Sequence, residues 1–149
     1  MKIVIQRVRH ASVTIENEIS GTIEKGLVLL VGFAAGDSRD ILPAAAKKVC
    51  ALRIFEDESG KMNRSVRESN GSLLVVPNFT LAGSLEKGNR PSFDTALVPE
   101  RARLLFDWFI EELRKHEIPL ATGTFGATMQ VSIENDGPVT FVYDTNHHK

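Results

Sequence analysis

The stretch Asn135-Asp136-Gly137-Pro138-Val139-Thr140 separates two runs of residues that are typical of β-strands. Residues 129–133 alternate apolar and polar side chains, and residues 139–143 are mainly β-branched or aromatic. An Asp-Gly pair alone would predict a hairpin, but Pro138 has a fixed φ and no N–H for a strand ladder. Two interpretations are open: a tight turn between strands, or a rigid backbone element that presents carbonyls or amides to a ligand.

Outward from this stretch, the chain predicts short strands and two helices. Apolar side chains recur on one face from about Asp40 to Leu52 and again from about Pro99 to His116. Pro43 and Pro99 fit these helices because each falls in a first turn. The predicted strands cover residues 3–8, 12–16, 19–23, 27–33, 53–55 and 73–76, with a hairpin turn at Asn17-Glu18. This order predicts an α+β fold, with a mixed or antiparallel sheet and the two main helices packed on it.

Composition limits the possible functions. The chain has 149 residues, enough for a single domain with a sizeable core, and we expect a frayed tail at about residues 144–149. The net charge of −1 predicts no global attraction to nucleic acid, so such binding would need a local basic patch. Cys50 is the only cysteine, which excludes an internal disulfide and a cysteine-rich metal site. No signal peptide or membrane span is recognisable, so we expect the protein in the cytoplasm.

Conventional catalytic motifs are missing from the sequence. It contains no nucleophile elbow, no phosphate-binding glycine loop and no zinc motif, and none of its four histidines neighbours a plausible nucleophile in sequence. The remaining unusual backbone segments are 77–81 and 135–140. A strand that ends at Pro77 can leave backbone amides free, and such donors can stabilise an oxyanion. Thr80 is the nearest hydroxyl; alternatively it only bonds its own backbone at a strand end.

Both segments resemble the signature motifs of the D-aminoacyl-tRNA deacylases. Residues 75–81 read Val-Val-Pro-Asn-Phe-Thr-Leu, where that family usually has Ser-Gln-Phe-Thr, and residues 135–140 match its Asn-x-Gly-Pro-Val-Thr. Further segments resemble the family in the same order, among them Ile5–Val8, Gly60–Asn63, Gly88–Phe93 and Met129–Ser132, so the similarity extends to about Tyr143. The chain departs from the family at Pro77, in place of serine, and at Asn78, in place of glutamine.

The resemblance implies a fold, a reaction and an assembly. The expected fold is a barrel-like sheet with two helices, in a cytoplasmic homodimer whose active site lies at the subunit interface. The expected reaction cleaves the ester between a D-amino acid, or glycine mischarged on tRNA(Ala), and the 3′ adenosine of tRNA, without metal or cofactor. A cis Gly137-Pro138 element, braced by Arg7, is expected to enter the partner's pocket. There its main-chain atoms hold the amino group, so that an L side chain would meet the wall.

The resemblance also assigns the remaining site residues. Catalysis is attributed to the backbone amides of Phe79 and Thr80 and to the tRNA's own 2′-hydroxyl, with the Thr80 hydroxyl in a positioning role. This agrees with the lack of a neighbouring base that could activate Thr80 as a nucleophile. Contacts to the terminal adenosine are expected from Pro77, Asn78 and Met129. Lys87 and Arg90, apart from the resemblance, are candidates for phosphate contacts on the tRNA, or alternatively part of a solvated surface.

Two other functions remain open from the sequence. One is a non-catalytic tRNA-binding module on the same fold, in which Pro77 and Asn78 mark lost activity. The other is a hydrolase of small-molecule amides or esters that does not require RNA.

Overall fold

The structure is a computed structural model that describes residues 1–147. Its strands are β1 Lys2–Ile15, β2 Glu18–Ile23, β3 Gly26–Gly32, β4 Phe55–Glu56, β5 Met62–Arg64, β6 Ser72–Pro77, β7 Leu120–Thr122 and β8 Gln130–Asp144. Its helices are α1 Leu42–Ala51 and α2 Pro99–Arg114, and short 3₁₀ turns cover Arg39–Ile41, Phe79–Ala82 and Thr145–His147. Both helices were predicted, and Pro43 and Pro99 lie in their first turns.

One mixed sheet carries the fold. Its strand order is β2-β1-β3-β6-β7, and β8 pairs with the other edge of β1. The β1 pairings are antiparallel, whereas β3–β6 and β6–β7 are parallel. Because β7 and β2 also lie close together, the sheet curls towards a closed barrel. The α+β prediction with a mixed, barrel-like sheet and two helices is confirmed.

The continuous apolar run of β3 is explained by two separate cores. Leu27, Leu29 and Val31 point to the core shared with α1 and α2. Val28 points to the other core, which fills the inside of the curled sheet. Alternate side chains of a strand face opposite sides, so a strand covered on both faces has to be apolar throughout.

The first strand is longer than predicted. Residues 3–8 and 12–16 were expected to form separate strands, but β1 runs unbroken from Lys2 to Ile15. The polar residues between them broke the hydrophobic pattern, although the backbone there still pairs with β8. His10 therefore lies within a strand. The hairpin to β2 is present, and Glu16 and Asn17, with φ of 49° and 65°, form its turn.

The predicted frayed tail overlaps the last strand. Asp144 pairs with Lys2 at the end of β8, and the Thr145 N–H donates to the Met1 carbonyl at 3.0 Å. The part of the expected tail at 148–149 lies outside the described residues. Within residues 1–147, neither helix has the length and apolar character needed to cross a membrane.

We expect Phe109→Ala to destabilise the protein by about 3–5 kcal/mol, because this fully buried α2 side chain would leave a cavity. The matched control is Leu104→Ala on the same helix, since Leu104 is 51% exposed and its loss should cost less than about 0.5 kcal/mol. Denaturant unfolding of both variants measures the difference. Equal losses would contradict this assignment of the core.

Candidate active site

The first unusual backbone segment follows β6. The Asn78 N–H donates to the Val31 carbonyl at 2.7 Å, and the Asn78 carbonyl accepts the Leu81 N–H at 3.3 Å. The N–H groups of Phe79 and Thr80 begin the 3₁₀ turn, where no preceding carbonyl is in register to accept them. Among residues 1–147, neither of these groups donates a main-chain hydrogen bond. These two N–H groups are therefore open to a ligand, and their use in catalysis stays a prediction.

Gly32 allows this turn to lie against the end of β3. A β-carbon at this position would come within 2.7 Å of the Asn78 carbonyl oxygen and 2.8 Å of the Leu81 β-carbon. Any larger residue would push the turn away from the sheet. Gly32 was not among the predicted site residues, and its only signal in the sequence was its position as a glycine at the end of an otherwise apolar strand.

A cavity of about 530 Å³ opens beside the turn. Its lining includes four of the predicted site residues: Pro77, Asn78, Phe79 and Met129. Phe79 is 58% exposed and packs against Phe93 with ring centroids 5.1 Å apart. An exposed aromatic ring beside an open cavity of this size provides a stacking surface for a flat ligand.

The hydroxyl of Thr80 has a side-chain partner. It donates to Asn78 Oδ1 at 2.5 Å, and not to its own backbone as the alternative for a strand-end threonine proposed. Asn78 is an amide and cannot accept a proton as a general base near neutral pH. This contact therefore orients Thr80 but does not activate it.

The second unusual segment is a wide bulge in β8 and not the turn of a hairpin. Gln6 of β1 faces Thr140, whereas Val8 faces Asn135, so residues 136–139 stand opposite Arg7 alone. Asn135 closes the base of the bulge, because its Nδ2 donates to the Arg7 carbonyl at 2.9 Å and to the Val139 carbonyl at 3.0 Å. The tight-turn interpretation is wrong, since β8 continues on both sides of the bulge.

Arg7 holds the bulge from beneath. It is 6% exposed, and its Nη1 donates to the Ile54 carbonyl at 2.9 Å. Its Nε donates to the Asp136 carbonyl at 3.3 Å and lies 3.4 Å from Asp136 Oδ2. The planar guanidinium can donate to the Ile54 and Asp136 carbonyls at once, whereas the ammonium group of a lysine would be a single point charge. This contact agrees with the bracing role expected for Arg7.

Gly137 and Pro138 form the exposed tip of the bulge. Their peptide bond is cis, as expected from the resemblance. Gly137 has a φ of 131°, which L side chains rarely adopt, and a β-carbon there would lie 2.7 Å from Val139 Cγ2 and 3.2 Å from Arg7 Nη2. Glycine is therefore required at this position by both conformation and space.

The bulge and the cavity are separate within one chain. None of residues 135–140 lines the cavity beside Phe79. Lys87 and Arg90 do not line it either, because they lie at the exposed end of a loop closed by the Ser84–Ser92 bridge. Their role in tRNA binding therefore stays a prediction.

Other reactive groups lie away from both segments. Burial raises the pKa of the Cys50 thiol to about 11, as is typical of a packed and unreactive cysteine. The turn between β4 and β5 uses Asp57 as an acceptor for Asn63 and Lys61, and these bonds lower the pKa of its carboxyl. In the described part of the chain, no group of three His, Cys, Asp or Glu side chains is placed to hold a metal ion.

We expect Arg7→Lys to cost about 1–3 kcal/mol of stability and to loosen the bulge, because a lysine would leave a buried carbonyl unpaired. Arg9→Lys is the matched control: Arg9 also contacts Asp136, at 3.5 Å, but is 73% exposed, so its change should stay within about 0.5 kcal/mol. Denaturant unfolding and amide exchange at 136–139 measure both effects. If the two variants lost equal stability and protection, Arg7 would not be the brace.

Comparison with known proteins identifies the family of this chain. A family model described as D-Tyr-tRNA(Tyr) deacylase matches residues 4–144. The D-aminoacyl-tRNA deacylase of Geobacter metallireducens is 50% identical over 145 residues, which is 97% of this chain and 96% of the relative. That of Persephonella marina is 51% identical over 142 residues, covering 95% and 96% of the two chains.

Solved structures agree with this fold. The structure described as c-Myc DNA Unwinding Element Binding Protein has a TM-score of 0.91 at 42% identity and covers 97% of this chain and 99% of its own. A probable eukaryotic D-amino acid tRNA deacylase superposes with a TM-score of 0.81 over 95% and 97% of the chains, and at 18% identity it supports the fold alone. With near-complete matches in both sequence and architecture, this chain belongs to the D-Tyr-tRNA(Tyr) deacylase family.

Proposed function

We propose that this protein hydrolyses the ester bond of D-aminoacyl-tRNA, releasing the D-amino acid and free tRNA. The observation that carries the proposal is the pair of unbonded N–H groups at Phe79 and Thr80, on a turn beside an open cavity. Its family membership supports the same reaction. Glycine esters on tRNA(Ala) fit as well, since glycine has no side chain to exclude.

The two N–H groups act as an oxyanion hole. When water attacks the ester carbon, the carbonyl oxygen gains negative charge and accepts both hydrogen bonds. Collapse of this intermediate breaks the bond from the ester carbon to the 3′ oxygen of the ribose. The neighbouring 2′-hydroxyl passes the proton lost by the attacking water to that leaving oxygen. One donor of this kind is typically worth about 3–4 kcal/mol, which is substantial for an ester that is already activated.

Substrate handedness is read by the main chain of the Gly137-Pro138 tip. Fixed main-chain acceptors hold the amino group and fixed donors hold the carbonyl, so only one direction is left for the side chain. A D side chain points towards solvent, whereas an L side chain meets the wall. The pocket therefore reads the α-carbon and tolerates many side chains, in keeping with a tip that is exposed and braced by Arg7.

We place the tip in the pocket of a second, identical subunit. Within one chain the tip does not line the Phe79 cavity, so a single protomer lacks one half of the site. Phe141 and Val142, next to the bulge, are 45% and 68% exposed and supply apolar surface for such an interface. The working form is thus a homodimer, which we place in the cytoplasm.

A second candidate is a nucleic-acid-binding module without catalysis. It is favoured by the relative of 42% identity whose description refers to binding a DNA unwinding element. Pro77 and Asn78, which replace the usual serine and glutamine, would then mark the loss of activity. A third candidate, a hydrolase of small esters, needs no contact with RNA.

The decisive assay is release of D-tyrosine from D-tyrosyl-tRNA by the purified protein in EDTA. We expect turnover under these conditions, because the reaction uses main-chain donors and no metal. L-Tyrosyl-tRNA serves as the matched control and should stay intact. Retained tRNA binding without turnover would favour the binding module, and equal turnover of a D-tyrosine ester lacking RNA would favour the small-ester hydrolase.

We expect Thr80→Ala to keep measurable activity, within about 10-fold of the original, because only one neutral hydrogen bond is removed. Gly137→Ala should be slower by about 100-fold or more, because the added carbon displaces the tip that positions the substrate. Single-turnover deacylation compares the two variants directly. Complete loss in a folded Thr80→Ala protein would restore Thr80 as a nucleophile and contradict the oxyanion-hole mechanism.

A further inference from the structure

The cavity beside Phe79 continues along helix α2. A second, apolar cavity of about 250 Å³ shares Pro77, Phe79 and Gly126 with it. A third cavity, of about 300 Å³, shares Phe125 with the second and follows α2 to Arg114. The three cavities are thus neighbours along α2, and we call the second and third together the α2 groove.

Arg103 stands where the α2 groove meets the catalytic cavity. Its guanidinium lies over the Phe125 ring, with Cζ 5.2 Å from the centroid. A β-carbon placed on Gly126 would be 3.6 Å from Arg103 Nη2, which puts the cation next to a residue that lines both inner cavities. Among residues 1–147, no carboxylate forms an ion pair with Arg103 or with Arg114.

The charges along the groove follow the helix period. Arg103, Asp107 and Arg114 all line the outer cavity, so the groove carries two cations and one carboxylate. Arg103 and Arg114 are eleven residues apart, which is about three turns and about 16 Å along the axis. They therefore share one face of α2 but cannot both bind the same phosphate.

We propose that the α2 groove binds the single-stranded 3′ end of the tRNA, and that Arg103 binds the phosphate nearest the terminal nucleoside. This rests on the proposed function, because the aminoacylated adenosine must occupy the cavity beside Phe79. The chain then leaves past Phe125, where Arg103 meets its first phosphate and Arg114 a later one. Guanidinium groups are suited to this task because they match phosphate oxygens with paired donors.

This assignment differs from the basic residues suggested by the sequence. Lys87 and Arg90 line none of the three cavities, whereas Arg103 and Arg114 line the groove itself. The spacing of these two arginines puts them on one face of α2, but nothing in the sequence showed that β7 and residues 123–126 pack beside that face.

The test compares two substrates in wild type, Arg103→Ala, Arg103→Lys and Arg101→Ala. D-Tyrosyl-tRNA carries the proposed phosphates, and 3′-D-tyrosyl-adenosine carries none. Arg101 is the matched control because it lies on the same helix, about 200° round the axis from Arg103, and lines none of the three cavities. Thermal unfolding verifies that all variants are folded.

We expect Arg103→Ala to lower kcat/KM for D-tyrosyl-tRNA about 5- to 10-fold through KM, with Arg103→Lys losing less. The slope of log kcat/KM against log salt should fall in magnitude by about 0.7, the value for one phosphate contact on a single strand. Turnover of 3′-D-tyrosyl-adenosine, and both substrates with Arg101→Ala, should stay unchanged. Unchanged tRNA turnover in Arg103→Ala, or an equal loss on the nucleoside ester, would overturn the proposal.

The proposed function and the proposed role of the α2 groove can be refuted independently of each other. Absence of wild-type turnover on both substrates would refute the deacylase reaction. Whether the α2 groove binds tRNA would then be tested by the affinity of the protein for uncharged tRNA, measured by fluorescence anisotropy. A 5- to 10-fold weaker affinity in Arg103→Ala would still support it, and an unchanged affinity would overturn it.

Discussion

The candidate site depends on the hydrogen bonds that the buried guanidinium of Arg7 makes. The sheet is organised around β1, and at Arg7 its pairing with β8 opens to admit four residues against one. A gap of this kind would leave backbone groups unpaired, which is costly in a protein interior. Arg7 and Asn135 supply the missing partners, since their side chains bind the Ile54, Asp136 and Val139 carbonyls and the Arg7 carbonyl itself. The bulge is therefore a fixed part of the sheet.

In the proposed mechanism the chemistry belongs to the backbone. There the oxyanion donors are N–H groups, and the main chain of a glycine and a proline selects the handedness of the substrate. This explains how the site can carry Pro77 and Asn78 where related proteins usually have serine and glutamine. Pro77 lacks an N–H, but the two N–H groups without a main-chain acceptor belong to the two residues after Asn78. Asn78 keeps an amide oxygen for Thr80.

Much of the fold was predictable, because periodicity and turn residues determine it locally. The two helices, the doubly covered β3 and the strand that ends at Pro77 all follow from patterns of neighbouring residues. The unbroken β1 and the bulge in β8 do not, since polar side chains such as Arg7 are buried there by partners far away in sequence. The resemblance to a family identified the motifs of the site. The packing role of Gly32 and the proposed role of Arg103 can be recognised only in the folded structure. Each depends on a close approach between segments that lie far apart in the chain.

In the proposed dimer, each active site combines the Gly137-Pro138 tip of one subunit with the Phe79–Thr80 turn of its partner. A mixing experiment tests this arrangement with Gly137→Ala, which disrupts the tip, and Phe79→Pro, which removes one oxyanion donor together with the aromatic ring of the turn. Proline is acceptable at Phe79 because it begins the 3₁₀ turn and follows an extended Asn78, with φ of −144° and ψ of 89°. If the site is shared, the two inactive proteins, unfolded and refolded together, should recover about a quarter of wild-type deacylation, since half the dimers are mixed and each holds one intact site. A mixture no more active than its two components would contradict the account.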